Sequence, residues 1–250
     1  MSRWTHAAHT RAAAKEITRM AEVVAGRDLT APVPTCPGWD LAELVTHTGG
    51  VHRWAAYLVD GLAQRFVDRA GLDPGLPEGR DAYPVWLAEG APLLSGALEG
   101  REGGTPMWAW GADRHVRWWS RRQLHETVVH RADAEIALGL VPEIDEETAE
   151  DGVAEFFDLV PRVRWRDGVR ELTGSGETIS WQAGTGAGRL VTLTPEGFEH
   201  EPSGRTGTVT VRTATAGELL LLVWGRRPAS HHVVEGDAGL LAWWLARAVI

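Results

Sequence analysis

The sequence predicts a two-part protein of the α plus α+β class, with a helical bundle followed by a small α+β domain. Up to about residue 160, apolar residues recur at helical spacing between capping and stop signals. Beyond Pro161, short runs alternate between apolar and polar residues and are separated by glycine-rich turns, which is typical of strands. We therefore expect a helical domain over 1–145, a connecting helix over 146–161 and an α+β domain over 162–250.

Composition narrows the possible functions. The 250 residues are 44% hydrophobic, enough for a substantial core, and the net charge of −9 with no basic run argues against nucleic acid or an anionic membrane as a partner. Cys36 is the single cysteine, which excludes an intrachain disulfide and favours a reducing compartment. No segment approaches the roughly 18 apolar residues of a membrane span, and no signal-peptide core is present. We expect a cytoplasmic protein.

Three helices are expected before the central one. Asp40 is a good N-cap for the second of them, because Glu43 stands three residues later and completes a capping box. The expected helices cover 3–25, 41–62 and 84–98, and the expected loops cover 27–38, 67–80 and 100–117.

The central helix is expected over 120–139, and the rest of the bundle is organised around it. Ser120 is its expected N-cap, with Gln123 as the capping-box partner. Gly139 stands where a left-handed residue ends a helix.

Glu126 and His130 lie four residues apart on this helix, so both side chains project from one face. Such a pair is a common surface pair, but it also offers two ligands to one metal ion. His47 is the candidate third ligand, because it lies on the apolar stripe of the second helix, whereas His52 lies on a different face. Three ligands leave a fourth position for water or substrate, which is the pattern of catalytic zinc.

The C-terminal half is expected to begin with a helix over 146–160, capped by Asp145. Candidate strands cover 163–173, 177–183, 189–194, 197–201 and 207–213, and closing helices cover 214–225 and 237–249. The glycine-rich GTGAGR sequence at 184–189 is interpreted as a β-turn, because no Lys-Ser/Thr pair follows it as in a phosphate-binding loop.

Several residues near the candidate ligands have two interpretations. Cys36 has no obvious base near it in sequence and is interpreted as a packing residue rather than a nucleophile. Asp133 either orients a ligand imidazole or pairs with a neighbouring arginine. Four tryptophans are either core anchors or walls of a metal cavity: Trp108, Trp110, Trp118 and Trp119.

Two segments, PTCPGWDLAELVTHTGGVHRWA at 34–55 and LHETVVHRADAEIALG at 124–139, resemble the mycothiol-dependent maleylpyruvate isomerase family. The resemblance implies a DinB-like four-helix bundle followed by a smaller α+β domain. It also implies a divalent metal ion, with zinc as the expected ion, held by His47, Glu126 and His130.

The activity that the resemblance implies is the cis–trans isomerisation of maleylpyruvate, with mycothiol as the thiol cofactor. The thiolate adds to the cis double bond, the adduct rotates about the resulting single bond, and elimination gives the trans isomer. Arg226 or Arg227, in the VWGRRP segment, would suit the substrate carboxylates. Related bundle enzymes transfer the thiol to an electrophile, so isomerisation and S-transfer both stay open. The alternative is a non-catalytic metal-binding or regulatory protein that retains the bundle.

Overall fold

The computed structural model describes residues 4–184 and 188–250, and the chain divides into two compact units. The first unit ends at Pro142 and contains four α-helices among its described residues. The second unit starts at Glu143 and combines a five-stranded sheet with helices. The predicted α plus α+β class is therefore confirmed.

The first unit is built from α1 (His6–Val24), α2 (Leu41–Asp60), α3 (Tyr83–Glu99) and α4 (Val116–Ala137). Helices α1 and α2 each pack against both α3 and α4. The capping box at the start of α2 forms as expected, since Asp40 accepts a hydrogen bond from the Glu43 backbone and the Glu43 side chain accepts one from the Asp40 backbone. It fixes where α2 begins, and hence which residues face α4.

Helix α4 begins four residues earlier than the sequence predicted. Its N-cap is His115, and Ser120 lies buried inside the helix, so the predicted Ser120 capping box is wrong. The Ser120 hydroxyl instead donates a hydrogen bond to the Arg117 carbonyl in the preceding turn. Burial of Trp118 and Trp119 favours the extra helical turn, which local capping preferences do not reveal. The predicted C-terminal end is confirmed, because Gly139 has a φ of +71°.

A buried ion cluster joins α1 to α4. Arg131 is fully buried, and its Nε and Nη1 donate to Glu16 and Glu135 at 2.6 Å each. Burying a guanidinium costs free energy unless its N–H donors are paired, and the carboxylates of Glu16 and Glu135 provide these partners for Arg131.

The second unit starts with α5 (Glu146–Leu159), which packs against α7 (Ala216–Val223). The segment that the sequence treated as a connecting helix therefore contributes to the second unit. Two further helices in this unit are α6 (Asp167–Arg170) and α8 (Ala238–Leu245).

The sheet has the strand order β3-β2-β1-β4-β5, with β1 and β4 parallel and the other neighbours antiparallel. Its strands are β1 (Thr178–Ala183), β2 (Arg189–Thr194), β3 (Gly197–Pro202), β4 (Val209–Thr213) and β5 (Val233–Gly236). The strand predicted over 163–173 is wrong, because this charged segment forms turns and the short α6. Strand β5 was not predicted, since it is a four-residue edge strand without a buried residue. Part of the GTGAGR segment, 185–187, lies outside the described residues.

Within the described residues, no helix combines the length and the apolar character that crossing a membrane requires.

Candidate metal centre and adjoining cavity

Helices α2 and α4 bring His47, Glu126 and His130 together. The Glu126 Oε1 atom lies 3.3 Å from Nε2 of His47 and 3.3 Å from Nε2 of His130. The two imidazole rings lie 5.1 Å apart between centroids, and one donor atom from each of the three residues lies within 4.8 Å of the others. The spacing of four residues on α4 puts Glu126 and His130 on one face, and packing against α2 adds the third side chain.

The carboxylate of Glu126 is held from both sides. Its Oε2 accepts a hydrogen bond from Nη2 of Arg122, one helical turn earlier, at 2.8 Å. This bond leaves Oε1 facing the two histidines. Arg122 is buried, so its charge acts on Glu126 with little screening by water.

The ring of His130 is oriented by Asp133. The His130 Nδ1 atom lies 2.9 Å from Oδ2 of Asp133, which is fully buried. Because an ionised carboxylate only accepts hydrogen bonds, Nδ1 carries the proton and donates it. The Nε2 lone pair of a neutral His130 then faces the cluster, which is the arrangement usual for a metal-binding histidine. Of the two interpretations of Asp133, the geometry therefore favours orientation of a ligand imidazole.

Cys36 lies closer to this cluster than its sequence position suggested. Its Sγ donates a hydrogen bond to Asp133 Oδ2 at 3.4 Å, and Cys36, His130 and Asp133 form a second set of donors within 4.8 Å of one another. Cys36 also packs against the bundle core, as the sequence interpretation expected. The fold of the loop 27–38 brings Cys36 close to His130, which is distant from it in the sequence.

The cluster shifts the pKa of two of its members in opposite directions. Burial raises the pKa of Glu126, but hydrogen bonds from His130 and His47 and the charge of Arg122 outweigh it and bring the pKa well below its ordinary value. Burial lowers the pKa of His130, but its contacts with Asp133, Cys36 and Glu126 raise it well above the ordinary value. At neutral pH the metal-free cluster therefore holds a carboxylate beside an imidazolium.

Two imidazole nitrogens and a carboxylate oxygen are a donor set suited to a divalent ion of the zinc type. The fit is supported by the buried partners that fix His130 and Glu126 in place. The His47 side chain is 27% exposed, so the cluster can be reached from outside the bundle.

His52 is the fully buried histidine of α2, although the sequence placed His47 on the buried stripe. Thr127 Oγ1 donates to the Gln123 carbonyl at 2.7 Å and so accepts from His52 Nε2 at 2.9 Å. Burial lowers the pKa of His52 to about 3, so this residue is neutral at physiological pH. Helix α2 packs against α3 and α4 on different faces, and periodicity alone does not show which face stays open.

A cavity of about 680 Å³ reaches the cluster at His47. One wall is a face of α2, and the other is the segment 68–74. Its lining includes Trp39 and Trp54 but none of the four tryptophans considered from the sequence. Those four instead pack in an aromatic cluster with Trp54; Trp119, for example, lies 5.3 Å from Trp54 between ring centroids.

Trp39 covers one side of His47, with ring centroids 4.8 Å apart. Trp39, Trp54 and the segment 68–74 were not predicted from the sequence to line a cavity. The only available signal was that Trp54 lies seven residues after His47 and so on the same face of α2.

Arg226 and Arg227 lie in the second unit, immediately after α7. Their backbone N–H groups both donate to the Leu221 carbonyl, and the Arg226 Nη1 donates to the Trp224 carbonyl at 2.6 Å. The donor cluster and the cavity are built from residues of the first unit. A role of the two arginines in binding carboxylates therefore stays a prediction.

Comparison with known proteins adds a family match and two related structures. Residues 10–135 match the family described as the mycothiol maleylpyruvate isomerase N-terminal domain. No curated protein matches the sequence. The chain is similar to a crystal structure of the mycothiol-dependent maleylpyruvate isomerase, with 14% identity, a TM-score of 0.58 and 93% of each chain covered. A mutant of that enzyme gives 14% identity, a TM-score of 0.59 and the same coverage. Likeness at this identity shows a shared fold.

Proposed function

We propose that this chain, which belongs to the mycothiol maleylpyruvate isomerase family, is a metal-dependent enzyme. Its proposed reaction uses mycothiol to transform an electrophilic small molecule. The observation that carries the proposal is the convergence of His47, Glu126 and His130 at the edge of a cavity large enough for a cofactor-sized ligand. If Glu126 and His130 formed only an ordinary surface pair, there would be no reason for His47 of another helix to join them.

A divalent ion, with zinc best suited to the donor set, would be held by these three side chains. When bound, such an ion lowers the pKa of a thiol, so that the thiolate is available at neutral pH. Three protein donors are fewer than the four that usually close a structural zinc site, which favours a catalytic role.

The chain's own residues prepare this site in three ways. Asp133 holds the His130 ring with Nε2 towards the cluster, and Arg122 holds the Glu126 carboxylate. Trp39 packs against one side of His47. Donors that are fixed in advance do not have to reorganise when the ion binds, which strengthens binding and keeps the geometry defined.

Cis–trans isomerisation and S-transfer both require an activated thiol, and the proposal covers both. A carboxylate-bearing electrophile would also need a cationic partner, for which we propose Arg226 or Arg227. Substituting each by Met should raise KM for a dicarboxylic substrate with little effect on metal content. Arg170, which pairs with Asp167 on the surface of the same unit, provides the matched control. Unchanged KM in both variants would remove these arginines from the site.

The proposal is tested in two steps. Elemental analysis of the purified protein should find one divalent ion per chain, and the His130→Ala variant should lose it; full occupancy in that variant would contradict the ligand assignment. Incubation with mycothiol and a panel of electrophiles should then consume the thiol. A metal-loaded protein that shows no turnover, and whose thermal stability does not respond to mycothiol, would instead be the non-catalytic alternative.

A further inference from the structure

The imidazole of His130 has a second nitrogen that the proposed metal centre does not use. Its Nε2 atom lies 3.3 Å from Glu126 Oε1, on the side of His47. Its Nδ1 atom lies on the other side of the ring, 2.9 Å from Oδ2 of Asp133. Because the two ring nitrogens point in different directions, the donors around Nδ1 form an environment separate from the first cluster.

Cys36 joins His130 on this side of the ring. Its Sγ donates a hydrogen bond to the same Asp133 Oδ2 atom at 3.4 Å, so two hydrogen atoms converge on one buried carboxylate oxygen. One donor atom from each of Cys36, His130 and Asp133 lies within 4.8 Å of the other two. A cation that replaces the two hydrogens would therefore be bound by sulfur, nitrogen and oxygen, whereas the first cluster offers only nitrogen and oxygen.

The loop that carries Cys36 is fixed by backbone hydrogen bonds. The Cys36 N–H donates to the Val33 carbonyl at 3.0 Å, the Cys36 carbonyl accepts from the Trp39 N–H at 3.0 Å, and the Val33 N–H donates to the Trp39 carbonyl at 2.9 Å. Pro34 and Pro37 restrict the backbone on both sides of the cysteine. The thiol is thus held against α4 before an ion arrives, and its partial exposure lets an ion reach it.

The donor types indicate which cations would use this set. A cysteine thiolate is a soft ligand and favours thiophilic ions such as Cu⁺ and Cd²⁺ over harder ions. Asp133 is fully buried and the His130 side chain is only 10% exposed, so an ion must give up much of its hydration here. A strong bond to sulfur offsets that cost. Zinc does not need it, because the first cluster already supplies two imidazoles and a carboxylate.

We propose that Cys36, Nδ1 of His130 and Asp133 form a second cation site, selective for thiophilic ions, that shares the His130 ring with the first. Binding breaks the S–H and Nδ1–H bonds, releases both protons to solvent and forms metal–sulfur and metal–nitrogen bonds, with no transfer of electrons. A neutral imidazole has only one nitrogen with a free lone pair. A ring bound through Nδ1 keeps its hydrogen on Nε2, which then donates to Glu126 instead of binding an ion.

The thiophilic ion and the ion of the first cluster therefore compete for one imidazole. The existence of the second site does not rest on the proposed function; only its inhibitory effect does.

The test is titration of the full chain with Cd²⁺ after bound metal has been removed with a chelator. Thiolate-to-cadmium charge transfer gives an ultraviolet difference band, and Cys36 is the single cysteine, so the band reports on this residue alone. We expect the band to saturate at one equivalent in this site and to require more Cd²⁺ once the protein is loaded with zinc. No band, or a titration that zinc leaves unchanged, would overturn the shared site.

Two sets of variants separate this site from the first cluster. His47→Ala should keep the cadmium band, because His47 is not among its ligands; loss of the band would show that Cys36 belongs to the first cluster and would overturn the inference. His130→Ala and Asp133→Asn should each weaken cadmium binding at least about ten-fold, since even partners of a ligand typically contribute 10–100-fold. Wild-type cadmium affinity in either folded variant would also overturn it.

A matched control moves the thiol by one position. Thr35→Cys combined with Cys36→Ser keeps one cysteine in the same loop but removes it from Asp133, and we expect at least about ten-fold weaker cadmium binding. Equal affinity would show that any thiol in this loop suffices and would refute the site. Cys36→Ser alone should retain wild-type zinc affinity, and a loss of zinc affinity would contradict two separate donor sets.

The two proposals fail in different ways. If cadmium binds through Cys36 but the zinc-loaded protein shows no thiol-dependent turnover, the second site stands and the proposed function fails. If the zinc-loaded protein turns over and cadmium gives no charge-transfer band, the proposed function stands and the second site fails.

Discussion

Removing the negative charge of Asp133 should weaken metal binding without removing a ligand. Asp133 is fully buried and accepts a hydrogen bond from His130 Nδ1 at 2.9 Å. Asparagine has the same size and can still accept through its side-chain oxygen, so the Asp133→Asn variant keeps the ring oriented. It loses the charge that makes the imidazole a stronger donor to the metal.

The expected loss of zinc affinity depends on whether a variant keeps the hydrogen bond to His130 or removes it together with the charge. Partners of this kind typically contribute 10–100-fold to metal affinity, which corresponds to about 1.4–2.7 kcal/mol. Asp133→Asn keeps the hydrogen bond and should fall near the lower end, about ten-fold. Asp133→Ala removes both orientation and charge and should fall near the upper end, about one hundred-fold.

The assay is competition for zinc against a chelator of known affinity, with the folded fraction checked by circular dichroism. Asp113→Asn is the matched control, because Asp113 also contacts a histidine Nδ1, that of His115, outside the donor cluster. We expect wild-type affinity in the control. Wild-type affinity in both Asp133 variants would refute the role assigned to this residue.

Three further predictions concern the first unit. Because the pKa of His130 is raised, a metal ion must displace a proton from this residue, so zinc affinity should still rise with pH above about 6.5 and calorimetry should detect proton release. The metal-free protein should lose stability as the pH rises through this raised pKa. A pH-independent affinity would contradict this. Gly49→Ala should destabilise the fold by about 1–3 kcal/mol in urea denaturation, because its Cβ atom would clash with Trp86, whereas Gly50→Ala should be neutral or stabilising; equal effects would contradict the packing difference. Arg131→Met should cost about 3–5 kcal/mol by the same assay, since it removes the buried guanidinium that pairs with Glu135 and leaves Glu16 with its bond to Arg19, and a cost below about 1 kcal/mol would show that water reaches the two carboxylates.

The candidate ligands could be predicted from the sequence because their geometry is largely local. Four residues along α4 fix the relation of Glu126 to His130, and helical periodicity singled out His47 on α2. Burial was harder to predict. The fully buried histidine is His52, because α2 is packed on more than one face.

Features that depend on tertiary contacts could not be predicted in the same way. The early start of α4 follows from burial of Trp118 and Trp119, and the cavity wall at 68–74 is positioned by indole hydrogen bonds from distant residues. In the second unit, apolar and polar residues alternate in the charged segment 163–173, but this segment forms turns and a short helix instead of a strand. Strand β5 is too short and too exposed to give a periodic signal.

X-ray absorption spectroscopy of the zinc-loaded protein identifies most directly which atoms bind the metal ion. We expect a first shell of nitrogen and oxygen from His47, Glu126 and His130, with no sulfur before thiol is added. On adding mycothiol, one sulfur scatterer should appear at about 2.3 Å. A sulfur scatterer in the thiol-free protein would show that Cys36 is a ligand and would contradict the assignment, as would a shell that mycothiol leaves unchanged.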